Sequence, residues 1–191
     1  MIEGRPPKKE EIARILDYLP YRTDSKSYQK QPIAQAVGES NFVLMEMTPK
    51  VGVIPQTGIR VYIGSGERDV IDHVNRRIDY FELSNRSKIE LPFVLHTIIL
   101  ENEARFVRFF NDAGPLTTRM HALELLPGIG KKLMWAILNE RKKSGFKSFN
   151  DLTERIKGLH YPEKLIAKRI EEELMDDKIK YRVFTALPRV K

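Results

Sequence analysis

Two glycines set one residue apart constrain this chain more than any other feature: Pro127-Gly128-Ile129-Gly130 falls between two stretches of helical periodicity. Residues 118–126 read as one helix and residues 131–143 as a second, with Leu133, Met134, Ile137 and Leu138 on one face. A glycine adopts backbone conformations closed to other residues. One that opens a helix leaves the first amide N–H groups accessible, where the helix dipole favours an anion. Lys131 and Lys132 follow at once and set ammonium groups beside those amides. Such a turn can grip a phosphodiester backbone by charge without reading a base.

Charge is concentrated where this turn lies. The 191-residue chain carries 33 Lys and Arg against 26 Asp and Glu, a net +7. Residues 1–116 hold 16 basic and 16 acidic side chains while residues 117–191 hold 17 and 10, so the whole excess belongs to the C-terminal part. Within 117–147, Arg119, Lys131, Lys132, Arg141, Lys142, Lys143 and Lys147 stand against only Glu124 and Glu140. A charge run alone is most simply a solvated face; its coincidence with the glycine turn points instead to nucleic acid. The absence of cysteine excludes disulfides, cysteine-ligated zinc, iron–sulfur clusters and a cysteine nucleophile. No stretch approaches the ~20 apolar residues of a membrane helix and the first residues lack a hydrophobic signal core, so a soluble, cytoplasmic protein without a membrane partner is expected. Ile2-Glu3-Gly4-Arg5 reads as a protease-cleavage sequence and is left out of the functional argument.

The first half has strand texture. Residues 32–37, 42–48 and 59–63 are short β-branched or aromatic runs separated by turn signals at Gly38-Glu39-Ser40, Val51-Gly52 and Thr57-Gly58. Residues 10–19 fit either a helix, through Ile12, Ile15, Leu16 and Leu19, or a strand over 16–21. Residues 69–77, with Val70, Ile71 and Val74 on one side, read as a short helix, and residues 78–83 as a returning strand. Between Pro92 and Asn111 the texture becomes helical, with Leu95, Ile98, Ile99, Asn102, Phe106, Phe109 and Phe110 on one stripe and Pro92 in a first turn. The expected fold class is α+β: a small N-terminal OB-like β-barrel domain with helices (residues 1–91), a connecting helix and linker (92–116), and an all-α C-terminal domain with a tail (117–191).

The C-terminal part carries a faint repeat. Residues 148–158 and 162–174 look like a second, degenerate helix–turn–helix, with Ser148 and Asp151 as a capping pair. Phe149, Leu152 and Ile156 line its first helix and Leu165, Ile166, Ile170 and Leu174 its second. Gly158 fits the first glycine, but His160 occupies the second-glycine position, so this copy is expected to complete the helical core, with Lys164, Lys168 and Arg169 as an auxiliary surface. Residues 179–187 read as a terminal strand or an extended tail.

Leu126-Pro127-Gly128-Ile129-Gly130-Lys131-Lys132 resembles the signature of the helix-hairpin-helix family, a non-sequence-specific phosphate clamp of DNA- and RNA-handling proteins. A wider pattern spans nearly the whole chain. Leu16-Asp17-Tyr18-Leu19-Pro20, Ala34-Gln35-Ala36-Val37-Gly38, Val61-Tyr62-Ile63-Gly64 with Arg68, Asn102-Glu103 with Phe106-Val107, Phe109-Phe110-Asn111, Thr117-Thr118-Arg119 and residues 123–132 resemble an archaeal family known as a domain of unknown function, number six-five-five. That resemblance implies an oligonucleotide-binding-type barrel followed by a tandem helix-hairpin-helix, and an RNA- or nucleotide-binding role. It prefers RNA slightly over DNA and allows a monovalent cation seated by the hairpin carbonyls; no other cofactor is called for. Such barrels hold single strands in grooves lined by basic and aromatic side chains.

The expected phosphate contacts are therefore Gly128, Ile129, Gly130, Lys131 and Lys132, with Arg119, Trp135, Lys142, Lys143, Lys164, Lys168, Arg60 and Arg68 as auxiliary contacts. Trp135 lies one helical turn from Lys131 and Lys132, off the Leu133, Met134, Ile137 stripe. A lone tryptophan most often belongs to a core, and stacking on a base is the sharper reading. Tyr62, Tyr80 and Phe81 are likewise read first as barrel core. Arg60, Arg68, Arg76 and Arg77 form a basic cluster in a charge-neutral half, where pairing or solvation is the simpler reading. Gly64-Ser65-Gly66 reads as a turn, since Asp69 stands where a dinucleotide fingerprint needs its third glycine. His73, His96, His121 and His160 lack metal-ligand spacing, and Glu171, Glu172, Glu173, Asp176 and Asp177 read as a solvated helix end. No catalytic or metal residue is expected. Two other functions compete with nucleic-acid binding: a protein–protein adaptor of unknown partner, and a base-excision glycosylase or lyase using Lys132 with Asp151, whose Asn-Asp-Leu-Thr context departs from that family's pattern.

Overall fold

The computed structural model describes residues 9–20 and 31–187; the Ile2-Glu3-Gly4-Arg5 sequence lies outside them. Strands β1 (Ile12–Leu19), β2 (Ile33–Gly38), β3 (Leu44–Pro49), β4 (Arg60–Tyr62) and β5 (Ile71–Arg77) pair antiparallel in the order β4-β1-β2-β3-β5. They form a curled half-barrel with β4 and β5 at its edges. Helices α1 (Asn85–Glu101), α2 (Glu103–Asp112), α3 (Lys131–Lys143), α4 (Phe149–Arg155) and α5 (Pro162–Met175) follow. The fold is mixed α+β. The described residues fall into two units, one within Met1–Val94 and Glu173–Lys191, the other Leu95–Glu172.

In the sheet unit, the period of two sends Ala13 and Ile15, Ala34 and Ala36, and Met45 and Met47 to one face, where they cluster with Val61, Ile63 and Ile71. A bulge between Ile15 and Asp17 shifts the register and buries Leu16 and Asp17 as well. The second face is also covered, so its polar groups must be paired. Arg14 Nε donates to Glu39 Oε1 at 2.7 Å, Ser84 Oγ to Asp17 Oδ2 at 2.7 Å, and Ser87 Oγ to Gln35 Oε1 at 2.8 Å.

Of the two readings of residues 10–19 the strand holds, over Ile12–Leu19, and Tyr21, the last residue of the strand expected over 16–21, lies outside the described residues. The helix expected over 69–77 is strand β5 instead, paired with β3 through Met47↔Val74 and Thr48↔His73. A helix that short is marginal, whereas the edge of β3 offers a row of backbone partners. Residues 78–83 do not return as a strand: Asp79 caps a 3₁₀ turn at Tyr80–Glu82, its N–H donating to Glu82 Oε2 at 2.8 Å. The single helix expected between Pro92 and Asn111 is two, and Pro92 lies inside α1 rather than in a first turn. The break is Asn102, whose Nδ2 donates to the Ile98 carbonyl at 2.8 Å and competes with the backbone ladder.

The chain from Glu173 onward groups with the sheet unit. Glu173 is fully buried, not part of a solvated end. Its carboxylate accepts the N–H groups of Val183, Phe184 and Thr185 at 2.9, 3.2 and 3.0 Å and the Thr185 hydroxyl at 2.9 Å. The guanidinium of Arg182 donates to the carbonyls of Glu173 and Asp176. Through residue 187 the tail is thus fastened by side chains and by the Ala186 N–H, which donates to the Asn41 carbonyl at 3.0 Å, and these described residues form no strand.

Candidate functional site

The glycine turn lies in the helical unit. No α-helix forms over 118–126: Thr117 Oγ1 accepts the N–H groups of Arg119 and Met120, and His121 opens a 3₁₀ turn at Ala122–Leu125. His121 Nδ1 accepts the Leu123 N–H at 3.1 Å while the His121 backbone N–H donates to Glu124 Oε2 at 2.8 Å. Accepting at Nδ1 requires a neutral ring with its proton on Nε2. Burial, and then the nearby Arg141, push the His121 pKa below the ordinary imidazole value. A tight turn follows, closed by Ile129 N–H to the Leu126 carbonyl at 3.0 Å.

Each residue of the turn has a separable job. Gly128 adopts φ +88°, a left-handed conformation in which a side chain is strained, although a Cβ there would meet nothing within 4 Å. Ile129 is a buried plug. Gly130 caps α3 at φ −87°, ψ −178°, its carbonyl accepting the Met134 N–H at 3.0 Å, and has no side chain to cover the helix end. The first turn of α3 holds no acidic residue and receives no side-chain cap. Among the described residues, the N–H groups of Lys131, Lys132 and Leu133 find no acceptor. The contrast within the unit is α4, where Ser148 Oγ accepts the Asp151 N–H at 3.0 Å and Asp151 adds a negative charge.

The cations around the turn are not equivalent. Lys131 Nζ donates to Glu124 Oε2 at 2.8 Å and to the Arg119 carbonyl at 2.7 Å, and its ammonium holds Glu124 below the usual carboxylate range. Lys143 pairs with Glu140, whose pKa it lowers. Arg141 points inward, donating to the carbonyls of Phe110 and Ala113 at 3.1 and 2.8 Å. Lys132 and Lys142 are exposed and, among the described residues, have no partner. Arg119 is exposed as well. Trp135 is not core: it is 56% exposed, because Met134 and Ile137 already supply the buried face of α3.

The second turn repeats the first. Gly158 has φ +92°, Leu159 is buried and donates its N–H to the Ile156 carbonyl at 3.1 Å, and a Cβ on Gly158 would lie 3.7 Å from Leu133 Cδ2 of α3. Its helix end differs. Pro162 has no N–H, Glu163 sits in the first turn of α5, and Tyr161, 62% exposed at φ +50°, precedes them. Lys164 Nζ stands 4.3 Å from the Tyr161 ring centroid, and Lys168 is exposed; Arg169 is buried and belongs to no surface. Tyr161, three residues before Lys164 in the sequence, adds an exposed aromatic ring to this helix end.

In the sheet unit, Arg60 pairs with Glu39 at 3.1 Å and Arg76 with Glu46 and Glu82 at 2.9 and 2.6 Å. Arg68 clasps the Gly64-Ser65-Gly66 turn through the carbonyls of Gly64 and Asp72. Phe81 is 73% exposed and Tyr62 37%, so neither is barrel core; Tyr80 is half-buried and meets Phe81 edge-on. Asp151 accepts the Lys147 N–H at 2.9 Å and Arg155 at 3.2 Å, contacts that lower its pKa and tie it to the start of α4. Among the described residues, no group of His, Asp or Glu converges as metal ligands, and no helix is long and apolar enough to cross a membrane.

Residues 9–186 match the model of a family described as proteins of unknown function (DUF655). A Methanocaldococcus jannaschii protein, MJ0038, described as uncharacterized, is 51% identical over 183 residues, covering 95% of this chain and 82% of its own. The crystal structure of Af1531 from Archaeoglobus fulgidus, from the same family, superposes with a TM-score of 0.86 at 49% identity over 93% of this chain and 100% of that one. With a family match running from the first described strand into the tail, and with both glycine turns inside it, the chain belongs to the DUF655 family.

Proposed function

We propose that this protein binds nucleic acid without sequence preference, gripping a backbone phosphate at the N-terminus of α3. One observation carries the reading: a helix opened by glycine, with no capping side chain, no acid in its first turn, free N–H groups and the unpaired Lys132 beside them. The first N–H groups of a helix have no partner within it and are commonly met by a capping side chain, and an end left bare suits an anion. On this reading the two glycine turns are a tandem helix-hairpin-helix pair, of which the first holds phosphate. The second, with Pro162 and Glu163 at its helix end, is the weaker anion site. The half-barrel is taken as OB-like, and the slight preference for RNA rests on the family resemblance alone. On this reading Lys132 acts as a charge; the Asp151 carboxylate of the lyase alternative is engaged by the Lys147 N–H and by Arg155.

The test is fluorescence anisotropy with labelled single- and double-stranded RNA and DNA at two salt concentrations. Lys132→Ala is expected to weaken binding to every sequence and to flatten the salt slope on duplex DNA by ~0.9, one phosphate's share. Lys131→Ala is expected to do less, because Glu124 already partners that ammonium. An unchanged slope in Lys132→Ala removes this helix end from the interface. Failure to bind any nucleic acid at low salt rejects the reading and leaves a protein partner as the alternative.

A further inference from the structure

The exposed face of α3 carries more than charge. Lys132, Trp135, Asn139 and Lys142 are spaced three, four and three residues apart, so they form one stripe along the helix, and all four are exposed. The stripe begins at the glycine turn and runs about 15 Å, at 1.5 Å per residue. Its two cations are those of α3's exposed lysines that lack an acidic partner, since Lys131 and Lys143 are engaged by Glu124 and Glu140. An indole between two unneutralised ammonium groups is poorly placed for an apolar protein partner, because docking one would bury both charges unpaired. It suits a polyanion that also has flat apolar faces.

We propose that this stripe is a platform for an unpaired strand: a base stacks on Trp135 while Lys132 and Lys142 hold the phosphates on either side. The inference rests on the nucleic-acid reading above and narrows its ligand from nucleic acid in general to single-stranded segments. Inside a duplex every base face is covered by its neighbours, so away from the duplex ends only an unpaired base can lie on the indole. The glycine turn at the head of the stripe grips either form by its phosphates; Trp135 discriminates between them.

Trp135 is the single tryptophan of the chain, so its fluorescence reports its own surroundings. The experiment follows that emission and the anisotropy of labelled oligo(U), oligo(dT), a duplex and, as an unlabelled competitor, inorganic polyphosphate, which offers charge without bases. Single strands are expected to bind and quench Trp135, and duplex and polyphosphate to bind without quenching. Trp135→Ala should lose roughly 5- to 150-fold on single strands and little on duplex, the range of one base stack, while Trp135→Phe keeps most of the affinity. Trp135 is exposed, so neither variant removes a buried contact, and the quenching measurement needs no variant. Saturating single-strand binding with unquenched emission, or full affinity in Trp135→Ala, overturns the platform while leaving the phosphate grip standing. Absence of binding to any of the nucleic acids at low salt overturns both.

Discussion

Replacing Gly130 by aspartate sets stability against binding at a single position. The backbone there, φ −87° and ψ −178°, is open to any residue, and a Cβ would meet nothing within 4 Å, so the substitution meets no steric penalty. An aspartate cap exceeds a glycine cap by a few tenths of a kcal/mol, a net difference in which the restriction of the unfolded chain is already counted. Its charge at a helix N-terminus adds about 0.3–1 kcal/mol. Together these come to about 0.5–1.5 kcal/mol, or roughly 1–6 °C in Tm for a chain of this length. The same carboxylate would take the N–H groups offered to phosphate and repel it, so the loss of even one charge-assisted hydrogen bond, about 1.5–3 kcal/mol, weakens nucleic-acid binding roughly tenfold or more. Thermal melting and anisotropy on the same preparations read both effects, with Gly130→Ala as the control for the Cβ alone. A higher Tm at unchanged affinity would refute the placement of phosphate at this helix end. A lower Tm would refute the argument that its N–H groups lack acceptors.

Three further outcomes are expected. Gly128→Ala and Gly158→Ala should each cost about 1–2 kcal/mol by denaturant unfolding, because both sit in left-handed conformations while neither meets a close neighbour; a neutral result at both would mean that the turns relax freely. Glu173→Ala leaves three backbone N–H groups and a hydroxyl without their acceptor, so a loss of about 3 kcal/mol or more and faster amide exchange at Val183 and Thr185 are expected. The folded state lowers the His121 pKa, so between that value and the unfolded value near 6.5 the unfolded chain binds more protons. The stability this cap contributes is therefore complete above pH ~6.5 and declines as the pH falls through the folded value. His121→Asn, which keeps an acceptor without the titration, should flatten that decline, and an unaltered pH profile would remove His121 as its source.

The glycine turn was legible because its demands are local. A left-handed residue, an apolar plug and a bare helix start are written within four consecutive positions, Pro127 to Gly130, and the same pattern marks Gly158 and Leu159 despite the missing second glycine. Strands β2, β3 and β4 were likewise visible from β-branched runs between turn signals. Residues 69–77 were not, since Val70, Ile71 and Val74 satisfy a helical period equally well, and the choice was made by β3, whose unpaired edge lies far away in the sequence. Residues 118–126 lost their expected helix to side chains that bond their own backbone, Thr117 and His121, a competition that periodicity does not register.

Which cations are free and which aromatics are exposed was decided only by the tertiary structure. Lys131 and Lys132 are adjacent and chemically identical, yet Glu124 neutralises one of them because the capped turn holds that carboxylate beside the helix end. Trp135 stands next to the core stripe of α3, and whether that flank is covered depends on what packs there; Met134 and Ile137 close the core and leave the indole in solvent. Glu173 looks like its acidic neighbours in one dimension and is buried because the tail returns to it. Conformational preference acts within a few residues and can be read from them, whereas pairing and burial belong to groups that only the folded chain brings together.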